Sequence, residues 1–501
     1  MPDASVAVSG TAGTRSGLLQ RLFGTFRAAY LPILVTYFAW GASGITAVAA
    51  LYFQKDTLRL TPADAAAIGF WLGLPWSMKM IVGVASDAFP ILGSRRKAYL
   101  VLGTVCSLAG YALVAWSVST RDGYLAAMLL VVIGFMIQDV VADALSVEVA
   151  RSDDEVAQVQ TLGRVALLVG TISVGYASGV AAAALGPRPV FVIAAALPVI
   201  VAIAALFIRA SPRAAPSAAP AAPPADGPLG SGRTRLVLGV GLAYAAFSVG
   251  LELLDIPFTQ EIVLAVSAVL IVVLLRQIGL SRAVAISAFV IFLFRAVPGV
   301  GQGYSYWAID HLGFDQQFLG LLAQVSSVLS LAGLLLFRKT ITRRPVSFTI
   351  LWVTIAGFLL SLPTIGLFYG VNEWLGLSPR AFAFIDTTIS APLGQLAMVP
   401  MLVLIAKSAP EGAEATMFAV MASLMNLALS ASELGTRYLN TAFAVTQQDY
   451  AGLGHLMVTA SVIGLVPLLA LPLLKREEAR AATAAATAPP APAAPVAGRA
   501  Q

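Results

Sequence analysis

Charge is the scarcest thing in this sequence. Asp, Glu, Lys and Arg make up 11% of the 501 residues, against 58% hydrophobic ones, whereas a soluble domain carries about a quarter charged residues. So little polar surface cannot cover a water-facing exterior, which excludes a soluble enzyme and a nucleic-acid binder. Cysteine is nearly absent too. Cys106 stands alone, so an intrachain disulfide and a thiolate metal site are excluded. The two histidines, His311 and His455, lack metal-ligand spacing. There is no Gly-(x)4-Gly-Lys-Ser/Thr loop for a nucleotide and no nucleophile–base set. The sequence therefore calls for no metal or cofactor and does not read as an enzyme.

What fills the chain instead is a succession of apolar runs, with a mean hydropathy of +0.86. Each run is about 20 residues, long enough to cross a hydrocarbon core of about 30 Å. A first group of spans falls at 30–52, 66–86, 98–119, 124–148, 160–184 and 189–208. A second falls at 236–254, 257–275, 283–306, 317–337, 346–370, 382–406, 415–439 and 455–474. The Ala/Pro-rich stretch from Ser211 to Arg235 reads as a flexible connector, and the chain after Arg480 as disordered. The expected fold is an all-α polytopic membrane protein of about fourteen spans, with two six-helix halves and two extra helices between them. The expected units are a cytoplasmic tail (1–28), a first half (29–208), a linker (209–235), an extra pair (236–276), a second half (283–474) and a tail (475–501).

Basic residues set the orientation. Arg15, Arg21, Arg27, Arg95, Arg96, Lys97, Arg151, Arg276, Arg282, Arg343, Arg344 and Lys407 would all share one face, and roughly 22 of the 31 basic residues fall there. That face is expected to be cytoplasmic and to hold both termini. The apolar run after Arg27 is too long for a cleavable leader. The Ala/Pro-rich tails suggest a bacterial inner membrane, and a monomer is expected.

The halves resemble each other. Ala150-Arg151-Ser152 with Glu155 has a counterpart in Ala406-Lys407-Ser408 with Glu411, and Arg95-Arg96 has one in Arg343-Arg344. Internal duplication of six-helix units is the design of rocking transporters. Gly83-(x)3-Asp87 followed by Arg95-Arg96 resembles the signature loop of the major facilitator superfamily, with a longer spacing. Leu74-Pro75-Trp76-Ser77-Met78-Lys79, Ser86-Asp87-Ala88-Phe89-Pro90-Ile91-Leu92-Gly93 and Gln138-Asp139-Val140-Val141-Ala142-Asp143-Ala144 resemble the folate–biopterin transporter family of that superfamily. So do Pro298, Tyr304, Leu312-Gly313-Phe314 and Ala409-Pro410-Glu411-Gly412-Ala413-Glu414 in the second half. The resemblance implies secondary active transport of a folate- or pteridine-like organic anion by alternating access. A facilitator for another solute, such as a muropeptide-like or nucleotide-like anion, and a non-transporting assembly factor on the same scaffold remain alternatives.

The charges kept inside spans are the candidate site, because each costs at least about 2.5–3.5 kcal/mol to insert. Asp139 and Asp143 share a helix face at i,i+4. Lys79, Arg164, Arg295 and Asp386 are the other candidates, with Tyr304 and Trp71, and also Trp40 and Phe135, as aromatic partners for a flat ring. A carboxylate can accept the paired N–H groups of a pterin, and a basic residue can hold a folate's glutamyl carboxylates. Asp139 and Asp143 are also candidate proton carriers. A structural ion pair with Lys79 explains them equally well. Gly83, Asp87, Arg95, Arg96, Glu148 and Arg151 would form a cytoplasmic latch between the halves. Glu433 and Arg437, also i,i+4, read as a structural pair. Pro298-Gly299-Val300-Gly301-Gln302-Gly303 reads either as a bend or as close packing through small residues.

Overall fold

A computed structural model of the chain describes residues 26–208, 231–254, 256–394, 400–401, 404–405 and 414–487. Twelve of its helices are long and apolar enough to cross a membrane. The first half contains α1 (Ala28–Thr57), α2 (Pro62–Ala88), α3 (Lys97–Trp116), α4 (Arg121–Val149), α5 (Asp154–Leu185) and α6 (Pro187–Ala205). The extra pair is α7 (Arg235–Leu253) and α8 (Thr259–Gln277). The run expected at 283–306 is broken into α9 (Arg282–Arg295) and α10 (Gln302–Leu312). There follow α11 (Gln316–Phe337), α12 (Val346–Phe368), α13 (Pro379–Gly394), α14 (Met417–Ala442) and α15 (Leu453–Arg480). With the broken helix and α13, the fourteen apolar segments are accounted for. The repeat residues from Ala406 to Glu411 lie outside the described residues.

Local chemistry sets the helix starts. Thr61 caps α2 in a reciprocal capping box with Asp64, and Pro62 takes the first turn, where its missing N–H costs nothing. Thr120 caps α4 and Ser281 caps α9 more simply, each accepting the backbone N–H three residues on, from Gly123 and Val284. Ser152 accepts the Glu155 N–H at 3.3 Å. Ser-(x)2-Glu is thus a helix-start signal here, which is one physical reason for the motif.

Glycine brings the helices into backbone contact. A Cβ on Gly41 of α1 would lie 2.0 Å from the Leu167 carbonyl oxygen, and one on Gly170 of α5 would lie 2.3 Å from that of Phe38. Two Gly-(x)3-Gly stretches make the seams between the halves. Gly69 and Gly73 of α2 sit against Glu433 and Ser430 of α14, and Gly175 and Gly179 of α5 sit against Gln324, Gln316 and Gly320 of α11. Small residues allow this approach, which is how helices associate where hydrophobic burial gives no drive.

The break between α9 and α10 is both a bend and a packing device. It exposes backbone groups that hydrocarbon cannot satisfy, and α14 satisfies them from one helix face. Ser432 donates to the Val297 carbonyl at 2.6 Å, Thr436 accepts from the Gly299 N–H at 2.9 Å, and Asn440 donates to the Val300 carbonyl at 3.1 Å. Gly301 has φ +65°, and a Cβ there would meet the Thr436 methyl at 2.7 Å. Glycine is required on both counts.

Gly179→Ala should lower stability by about 1–3 kcal/mol, because its new methyl meets backbone that cannot swing aside. Gly357→Ala, with open space around it, should leave stability unchanged or slightly raised. Thermal melting of the detergent-purified variants checks both.

Candidate functional site

Pro75 lies inside α2 and removes one backbone donor, and the helix kinks at Met78 (φ −111°, ψ 12°) before resuming at Lys79. The kink starts a new helical segment with Lys79 aimed at α4. Its Nζ lies 3.3 Å from Asp139 Oδ2 and 3.6 Å from Asp143 Oδ2. The i,i+4 spacing thus does what the sequence suggested and presents both carboxylates to one cation. They are not equivalent: the Asp139 side chain is 8% exposed and that of Asp143 is 40% exposed.

Two residues that the sequence reading missed hold Asp143. The Tyr37 hydroxyl of α1 donates to Oδ1, and Gln160 Nε2 of α5 lies 3.4 Å from the same oxygen while donating to Ser146 at 2.7 Å. Arg164, one turn along α5 from Gln160, is exposed and lies within electrostatic range of Asp139, Lys79 and Tyr37. Beside the cluster, Trp40 and Trp76 stack with ring centroids 4.9 Å apart. Asn426 of the second half donates to the Trp76 carbonyl at 3.1 Å. Five helix segments of the first half and one of the second therefore meet around a charged, aromatic-walled group.

The other predicted residues lie elsewhere. Trp71 is buried against Phe70 and faces Glu252 of α7. Phe135 packs into the core on Tyr111. Tyr304 and Asp386 come together in the second half, where Thr364 donates to Asp386 Oδ2 at 2.9 Å. Arg295 donates to the Met425 carbonyl at 3.2 Å, next to Asn426. A cavity of about 740 Å³ lies within the second half alone, between the α9–α10 break, α12, α13 and α15. Its lining, including Pro298, Trp352, Gly357 and Gly464, carries no charge. Glu433 and Arg437 do not pair. Arg437 turns to Gln260 Oε1 of α8 at 3.0 Å, and Glu433 turns to Gly69. Their equal spacing permitted the contact, but the extra helices offer Arg437 another acceptor.

At the basic face, Arg96 binds Glu148 through Nε at 2.8 Å, Asp87 through Nη2 at 2.7 Å and Ser86 through Nη1 at 2.9 Å. Burial opposes its charge, but the hydrogen bonds to Glu148 and Asp87 outweigh burial and hold the guanidinium above its ordinary pKa. These partners tie α2, α3 and α4 together within the first half. Gly83 sits in ordinary contact with Val140 of α4. Arg95 and Arg151 are exposed, and the Arg151 backbone N–H donates to Glu155 at 2.6 Å, outside the Arg96 group.

Between described residues, the hydrogen bonds and ion pairs that join the halves run from the middle of the molecule to the opposite, far face. Lys55 of α1, 7% exposed, reaches Asp310 of α10 at 2.6 Å. Tyr52 donates to the Phe314 carbonyl at 3.1 Å, and Gln447 donates to the carbonyls of Lys55 and Leu60. Lys55 is not among the residues singled out from the sequence. Its place at the end of an apolar run was the signal the sequence offered.

Comparison with known proteins gives the family and the fold. The chain is 30% identical over 450 residues to a folate-biopterin transporter of Synechocystis, covering 89% of this chain and 81% of the relative. It is 22% identical to folate transporter 2 of Plasmodium falciparum, covering 89% and 88%. Among solved structures it is similar to a POT family transporter in complex with a thioalcohol-conjugated peptide, with TM-score 0.65, 14% identity and coverage of 91% and 98%. It also resembles a nucleoside transporter, with TM-score 0.59, 13% identity and coverage of 89% and 98%. These last two show the fold alone. The BT1 family model matches residues 41–487, a stretch that takes in Lys79, both α4 carboxylates and both seams, and the chain belongs to that family of folate–biopterin transporters, on a major facilitator-type fold.

Proposed function

We propose that this transporter moves a folate- or pteridine-like organic anion by alternating access, with the Lys79–Asp139–Asp143 cluster as its recognition centre. One observation carries the reading. Asp143 is the open carboxylate of a group that also holds Lys79 and Arg164, with the Trp40–Trp76 stack beside it. Asp143 can accept the two adjacent N–H groups of a pterin ring, Arg164 can take a glutamyl carboxylate, and the indoles give a flat ring an aromatic face. Asp139 is then chiefly the buried counter-ion of Lys79. Tyr304, Arg295 and Asp386 would engage the substrate from the second half as the halves move.

The basic face is the cytoplasmic one on this reading, with both termini, in a bacterial inner membrane and with a single chain as the working unit. The ion pairs and seams of the far face then close the outer side, so the geometry corresponds to an inward-facing state. Proton coupling is assigned to Asp143. It is the more exposed carboxylate of the pair, within reach of water.

Arg164→Ala should reduce uptake of radiolabelled folate into proteoliposomes at least tenfold without changing thermal stability, since the side chain is exposed. Unchanged uptake would remove Arg164 from the site. Lys79→Ala should both abolish uptake and destabilise the fold by about 3–5 kcal/mol by stranding Asp139. Adding Asp139→Asn should restore much of the stability but not the uptake. Asp143→Asn should abolish both accumulation driven by a pH gradient and downhill exchange, as read by counterflow, because it removes the acceptor of the pterin ring.

A further inference from the structure

Glu433 is a carboxylate inside a span that the cluster above does not use. It lies on α14 where that helix presses against α2, and a Cβ on Gly69 would fall 2.9 Å from its Oε2 and 3.0 Å from its Cδ. One turn further along the contact, Gly73 meets Ser430. The carboxyl is therefore wedged into the Gly-(x)3-Gly face that closes the outer seam. Among the described residues no hydrogen bond or ion pair reaches it.

The charged groups on the neighbouring elements have partners of their own among the described residues. Arg437, on its own helix, donates to Gln260 at 3.0 Å. Asp64 on α2 is held in the capping box by Thr61. Glu252 on α7 lies 4.0 Å from Arg121, and Glu261 on α8 accepts from Tyr438. Arg295 on α9 is on the Met425 carbonyl. On α10, Asp310 is on Lys55 and Tyr450, and the Tyr306 hydroxyl is buried without a partner among the described residues. Gln260 adds to the closure, because it is buried and its Nε2 donates to the Ala67 carbonyl of α2 at 3.0 Å while its oxygen receives Arg437. It thus clips α2 to α14 beside the wedge.

We propose that Glu433 is a proton-binding switch of the outer seam: the protonated carboxyl packs against Gly69 and lets α2 and α14 close, and the ionised one holds them apart around water. A carboxylate charge pressed between two helices with no ion-pair partner among the described residues loses its hydration and gains nothing in return. A proton removes that conflict. When the seam parts, water solvates the ion and the proton leaves to the outside. Proton binding is therefore linked to closure, and closure is favoured at low external pH and lost as pH rises. The switch rests on alternating access but needs no particular substrate, and it is distinct from the Asp143 carrier.

The test is a pair of spin labels across the outer face, at Ser119→Cys and Leu375→Cys in a Cys106→Ser background, with distances measured in nanodiscs between about pH 5 and pH 8 without substrate. The open-to-closed ratio should rise with pH, by up to tenfold per unit for one proton. Glu433→Gln, which keeps the neutral shape, should stay closed across the range. Gly69→Ala should raise the open fraction at every pH and keep the pH dependence, so the prediction survives should the first variant misfold. An open population that ignores pH in the unmodified protein, or a pH dependence that survives in Glu433→Gln, overturns the switch and leaves alternating access standing. No open population under any condition overturns both.

Discussion

Hydrocarbon offers no partner to a carboxylate, an ammonium group or a broken-helix carbonyl, so each must find one inside the protein. That constraint organises this molecule. Lys79 and Asp139 answer it by pairing. The backbone exposed by the α9–α10 break answers it through Ser432, Thr436 and Asn440, one face of one neighbouring helix. Arg437 answers it by reaching a buried glutamine on an extra helix. The two carboxylates proposed above to respond to substrate or protons are the half-open Asp143 and the wedged Glu433.

The same constraint explains the seams. Helices in a membrane gain little from burying leucine against leucine, so the halves meet through glycine and through polar contacts made at close range. Both interhalf seams use Gly-(x)3-Gly on a first-half helix, and the Lys55–Asp310 pair completes the closure at the far face. Backbone contacts of this kind are either made or lost, with little ground between. They would suit the alternating access proposed above, in which the halves separate and rejoin.

Much of this was legible in the sequence. Hydropathy gives the membrane class and the apolar segments. The α4 pair was legible because i,i+4 spacing inside an apolar helix leaves few other arrangements. Family resemblance carried by the stretches around Lys79 and Asp143 pointed to the same residues. What could not be read was partner choice across the bundle. Tyr37 and Gln160 lie on helices whose rotation depends on glycine contacts, so their meeting with Asp143 follows from packing, not from any local pattern. Glu433 and Arg437 had the spacing of a pair and separated because Gln260 arrives from a distant segment. The latch residues were recognisable by type, yet Arg96 gathers Asp87 and Glu148 within one half. The Gly-(x)3-Gly stretches at 69–73 and 175–179 were not singled out, because nothing local to them says which helix they will meet.

The central claim is that a pteridine ring is recognised at Asp143. Thermal stabilisation of the purified protein by a pterin lacking the glutamyl tail tests it most directly, since a ligand that binds the folded state raises its melting temperature. The account predicts a saturable rise that disappears in Asp143→Asn and persists in Arg164→Ala, which removes only the tail's partner. A rise of equal size in Asp143→Asn, or none in the unmodified protein, would contradict it.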